Sequence, residues 1–132
     1  MIPALARLLL GAFYALAGYL HIARPEPFLS IMPPWVPAHD MVVLGTGVAE
    51  LLGAIALLQP FSTDLRKAGG IGLALYAVCV FPANIHHFAL DMAQPDGGLG
   101  LGYHVPRMFA QPVLVWLALW TGGVTNWPFR RR

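Results

Sequence analysis

The sequence predicts an all-α, polytopic membrane protein: a single-domain four-transmembrane-helix bundle with a short interfacial segment between helices 1 and 2. Three observations carry this expectation. Hydrophobic residues fill 58% of the 132 positions and charged residues 11%, against roughly 25% charge in soluble domains. A soluble globule of this size has too much surface for its volume to hide so many apolar side chains. Four apolar runs, 3–23, 41–59, 68–90 and 104–123, each approach the length of about 20 residues that crosses a hydrocarbon core. The links between them are rich in proline, glycine and polar residues, which interrupt helices.

The first run carries Arg7 near its start, and Ala15 to Gly18 offer the small residues of a signal-peptide cleavage site. The apolar stretch after Arg7 is nevertheless long enough to span, so a retained helix is expected. The link "ARPEPFLSIMPPWVPAHD" has no N–H at Pro25, Pro27, Pro33, Pro34 or Pro37 and cannot be helical throughout. Its Phe28, Leu29, Ile31, Met32 and Trp35 suit a segment lying at the membrane interface. After the second run, "QPFSTDLRK" is a short turn in which Ser62, Thr63 or Asp64 can cap the third helix. "DMAQPDGGLGLG" reads as a flexible loop before the fourth, whose uncharged part begins at Met108.

Charge sets the orientation. The amino terminus, Arg7, Arg66, Lys67 and Arg130, Arg131 and Arg132 share one side of the topology, and Arg24 and Arg107 the other. By the positive-inside rule both termini face the cytoplasm of a bacterial inner membrane, and the histidines face outward. The net charge of +2 lies largely in the terminal arginines, which suit an anionic lipid surface better than nucleic acid, a partner that is not expected. A single Cys79 allows neither an internal disulfide nor a dithiol redox pair.

Helical neighbours recur at i+3, i+4 and i+7, so polar residues can be placed on stripes. Arg7, Gly11, Tyr14, Gly18 and His21 fall on one line in the first helix; Thr46, Gly47, Glu50, Gly53 and Ala54 form a small-residue face in the second. The third offers Gly69, Gly72, Tyr76, Cys79, Ala83 and then His86 or His87, and the fourth begins with His104, Arg107, Met108 and Gln111. Tyr14 and Glu50 lie near mid-span. Asn84, His86, His87, His21, His104 and Arg107 lie in an outer layer, about 10 to 15 Å away at 1.5 Å rise per residue.

An ionisable group at mid-span costs about 2.5 to 3.5 kcal/mol on insertion scales, so Glu50 should face the interior and hold a partner. It either joins helices through a hydrogen bond to Tyr14 or a helix carbonyl, or works with Tyr14 as a proton-handling pair. Adjacent histidines diverge by about 100° around a helix, so only one of His86 and His87 can turn inward. Pro82 removes the hydrogen bond to the Val78 carbonyl and kinks the helix, where Asn84 can satisfy freed backbone groups. Arg107 either reaches the headgroups or grips a carbonyl in the interior.

"HIARPEPF", "GVAELLGAIALL", "FPANIHHF" and "VPRMFAQPVLVWLALW" together resemble the DoxX family of small four-helix bacterial membrane proteins, across nearly the whole chain. The resemblance implies the four-helix fold and a link to quinone-dependent oxidoreductases, in which some members are subunits. Three functions stay open. The first is a redox-associated module whose interior binds a quinone or similar hydrophobic ligand through Asn84, His86, His87, His104, Arg107, Gln111 and His21, with a protein partner supplying the electron carrier. The second is a non-catalytic subunit of a larger membrane complex. The third is a haem or copper site built from His21, His86, His87, His104 and Met108. For the topology, cysteines introduced at Ser30 and Ser62 are expected to label from opposite sides with Ser30 outside; labelling of Ser62 from the outside would overturn the orientation.

Overall fold

The computed structural model describes residues 1–129. The terminal arginines 130–132, expected to meet lipid, lie outside the described residues. Five helices and no strand occur among those described: α1 (Ile2–Ala23), α2 (Glu26–Ser30), α3 (His39–Leu58), α4 (Thr63–Met92) and α5 (Leu101–Thr121). Three of them, α1, α3 and α4, are long and apolar enough to cross a membrane. The outer faces carry exposed Leu5, Leu9, Phe13 and Leu16 on α1, Leu52 and Ile55 on α3, and Leu75 and Val78 on α4. Lipid contact accounts for such a surface, since water would penalise it.

The long helices close a ring, α1 against α3, α3 against α4, α4 against α5 and α5 back against α1, while α2 touches α3. Glycine sets the closest approach. A Cβ on Gly18 would lie 2.7 Å from the Gly47 carbonyl oxygen, and one on Gly47 would lie 2.8 Å from His21 Cβ. The α1 and α3 backbones therefore pack in direct contact, as small residues permit in membranes. Gly11 meets Leu58 and Gly18 meets Gly47, so the two helices run antiparallel.

The fold departs from sequence expectation in α4, which begins at Thr63, where Ser62 Oγ accepts from the Leu65 N–H at 3.1 Å, and continues past Leu90 to Met92. The polar first turn stands outside the apolar run yet is capped well enough to extend the helix. Its buried stripe also differs. Gly72 and Cys79 are exposed, and the interface with α5 uses Gly70, Ala77, Asn84 and Asp91, spaced by sevens. Opposite them on α5 stand Ala118, Gln111, Arg107 and His104 in antiparallel order. Gly69 packs on Ala56 of α3 while Gly70 packs on Ala118 of α5, because α4 lies between two helices and needs a small residue toward each.

Replacing Gly18 by alanine should destabilise the protein by about 1 to 3 kcal/mol through overpacking. Gly45→Ala is the control, since a Cβ there meets nothing within 4 Å. Thermal unfolding in detergent should separate the two variants, and equal midpoints would contradict the contact.

Candidate functional site

The α1–α3 contact has a direct chemical consequence. With Gly18 against Gly47, His21 is carried alongside Glu50, and its Nδ1 lies 2.9 Å from Glu50 Oε2. The same Nδ1 lies 2.8 Å from the Ala17 carbonyl oxygen. A carbonyl only accepts, so Nδ1 carries the proton and donates along the helix. Glu50, 3% exposed, is left with a close ring nitrogen but no aligned hydrogen bond to Oε2. The expected partners of Glu50 were Tyr14 or a helix carbonyl; its ion-pair neighbour is instead His21, because the antiparallel register sets residue 21 beside 47 and 50.

Glu50 lines a partly open cavity of about 660 Å³ bordered by α1, α3, α4, α5 and the segment around α2. Tyr14, Tyr76 and His21 line it beside Glu50, and Asn84, Arg107 and Gln111 also line it. Phe13, Val42, Val80 and Leu114 give it apolar walls, and Phe28, Met32 and Trp35 contribute from the Pro-rich link. Phe28 stacks on the His21 ring with centroids 3.7 Å apart, which fixes that link against α1. Tyr14 and Tyr76 meet edge to face at 6.0 Å. A mainly apolar cavity with a few polar groups has the build of a small-molecule site.

Arg107 connects this cavity to a second cluster. Its Nη2 donates to Asn84 Oδ1 at 2.5 Å and its Nη1 to His87 Nδ1 at 2.9 Å, while the guanidinium lies 5.3 Å from the Tyr103 ring centroid. It is thus half-buried and bound to neighbours across the helix interface. Asn84 serves Arg107 through its side-chain oxygen, whereas the sequence placed it at backbone groups freed by Pro82. Gln111 donates to the Ala77 carbonyl oxygen at 2.8 Å, one residue before the carbonyl that Pro82 leaves without its helical donor.

Of the adjacent histidines, His87 turns to this network. His86 is half-buried, lines no cavity described here, and has no hydrogen bond, ion pair or ring contact among the described residues. His104 is fully buried and donates through Nε2 to Asp91 Oδ2 at 2.8 Å; its Nδ1 is buried without a partner. Asp91 Oδ2 also accepts from the Leu99 N–H at 2.9 Å. Gly98, at φ +56°, lies so close that a side chain there would strike Asp91. Asp91 therefore ties the Gly-rich loop and the start of α5 to the end of α4. Sequence reasoning missed it by ending the third span at Leu90, although the spacing from Asn84 to His87 to Asp91 continues the helical stripe.

His87, Asp91 and His104 present ligand atoms within 4.8 Å of one another, the residue types of a two-histidine, one-carboxylate metal site. The local hydrogen bonds oppose that use. Because Arg107 can only donate, His87 Nδ1 accepts and the His87 proton sits on Nε2, 3.5 Å from Asp91 Oδ2. Binding a cation through Nε2 would move this proton onto Nδ1 and set donor against donor at Arg107. The metal set read from sequence is also divided: His21 stands at Glu50, His87 and His104 stand at Asp91, and His86 stands with neither. Met108 is half-buried on α5.

Comparison with curated proteins and with solved structures finds no match. Residues 10–122, which include all the long helices but the first turns of α1, match a family model described as "Domain of unknown function (DUF8561)". The chain belongs to that family.

Proposed function

We propose that this protein is a redox-associated membrane module whose cavity binds a quinone or similar hydrophobic ligand. In this reading α1, α3, α4 and α5 all cross a bacterial inner membrane, both termini face the cytoplasm, and the stretch containing α2 lies at the outer surface. The motif resemblance to the DoxX family points the same way. One observation carries the proposal: a buried carboxyl oxygen of Glu50 without an aligned donor lines an apolar cavity that Arg107 also lines.

A quinone offers two carbonyl oxygens on an apolar ring, and each needs a donor. Arg107 has five N–H donors in a fixed fork and commits two nitrogens to Asn84 and His87, so its remaining capacity can serve one carbonyl. Tyr14, Tyr76 or a protonated Glu50 can serve the other. Reduction to the quinol adds two electrons and two protons, one proton to each oxygen. Glu50 and the tyrosines are suited to hand on protons, whereas a chain with one cysteine holds no dithiol to supply electrons. A redox partner protein supplies them in this scheme.

Titration with a soluble short-chain quinone tests the reading. Arg107→Ala and Glu50→Gln should each weaken binding about tenfold or more, the scale of a lost charge-assisted hydrogen bond. His86→Ala should leave affinity unchanged. Failure of the unaltered protein to bind saturably, or affinity in both cavity variants unchanged from the unaltered protein, would refute quinone binding and favour the non-catalytic subunit.

A further inference from the structure

The opposite end of the bundle holds a second, smaller cavity of about 360 Å³. Its origin lies in the glycine contact between α4 and α5. Gly70 and Gly122 approach so closely that a Cβ on Gly122 would lie 2.9 Å from Gly70 Cα and 3.2 Å from the Arg66 carbonyl oxygen. The end of α5 is thereby drawn onto the first turns of α4, and Gly123, at φ +81°, turns the chain away. The hollow left between them is bordered by the start of α1.

Basic side chains from two helices converge on it: Arg7 from α1, and Arg66 and Lys67 from α4. Thr63 and Asn126 add hydroxyl and amide groups, and Trp120 forms part of the wall. Among the described residues no carboxylate lines it. Arg66 Nη2 makes a long 3.3 Å hydrogen bond to the Gln59 carbonyl oxygen, while its Nε is buried with no hydrogen-bond partner among the described residues. Arg66 thus brings to a cavity of basic groups a guanidinium whose hydrogen-bonding capacity is not filled, which favours an anionic acceptor. The N-terminal end of α4 adds its positive dipole.

We infer that this cavity binds the phosphate of an anionic lipid headgroup. Phosphate matches a fork of arginine N–H groups supported by a lysine charge. Lipid is the favoured source because exposed Phe61, 92% accessible, and Trp127 stand at the same end and place it at the level of headgroups. Basic pockets between membrane helices on the cytoplasmic side are known to hold such headgroups. The proposed orientation puts Arg7, Arg66 and Lys67 on that side.

Native mass spectrometry of the full chain, released from detergent containing either phosphatidylglycerol or phosphatidylcholine, tests the assignment. Retention of phosphatidylglycerol over phosphatidylcholine is expected, falling about fivefold for each basic side chain removed in Lys67→Gln and in the Arg66→Gln, Lys67→Gln pair. Lys67 is exposed, so its single variant keeps the test valid should the pair fail to fold. Equal retention of the two lipids, or retention unchanged in Lys67→Gln, would overturn the site. Displacement of the lipid by millimolar inorganic phosphate alone would overturn the lipid assignment and reassign the pocket to free phosphate.

Discussion

The close contact between Gly18 of α1 and Gly47 of α3 is the constraint on which the interior chemistry depends. It fixes the register of two antiparallel helices, and that register brings His21 to 2.9 Å from Glu50. A carboxyl group inside an apolar bundle is costly unless another polar group meets it. Here the Tyr76 hydroxyl meets it together with the His21 imidazole, whose N–H is already committed to the Ala17 carbonyl, and Oε2 keeps no aligned donor. The incomplete satisfaction of Glu50 is what turns a cavity between helices into a candidate ligand site.

The α4–α5 interface adds a gradient along one seam. Its buried α4 residues, Gly70, Ala77, Asn84 and Asp91, pass from small to polar to ionisable. The small end permits close packing and creates the basic hollow beside Arg66. The polar end engages Arg107, His87 and His104, holding Arg107 at the wall of the main cavity. This one helix pair therefore borders both cavities, with its polar groups toward the main one and its small residues toward the basic one. Asp91 ties the end of α4 to the following loop and to α5 through the loop amide of Leu99 and the ring of His104.

Much of this organisation is legible in the sequence, for identifiable reasons. Apolar runs of spanning length and prolines that deny backbone donors mark the helices and the links, and Ser62 is readable as a cap. Partner choice is harder to read. Helix α4 carries Gly69, Gly70 and Gly72, and only the neighbours decide that Gly69 meets α3, Gly70 meets α5 and Gly72 meets nothing within 4 Å. Glu50 had several partners within helical reach, and the choice of His21 depends on a register that spacing within one helix cannot supply. Asp91 escaped because hydropathy ends before the helix does, even though its spacing from His87 and Asn84 was available.

Cys79 offers the most direct test of the central claim that the main cavity takes an apolar ligand, since it is the chain's single cysteine and lines that cavity. Its rate of reaction with a small uncharged thiol reagent can be measured in membranes with and without a short-chain quinone. The account predicts that quinone at saturating concentration slows labelling several-fold, and that Arg107→Ala raises the concentration needed for this protection about tenfold. An unchanged labelling rate at a concentration where quinone is bound would place the ligand elsewhere and contradict the account.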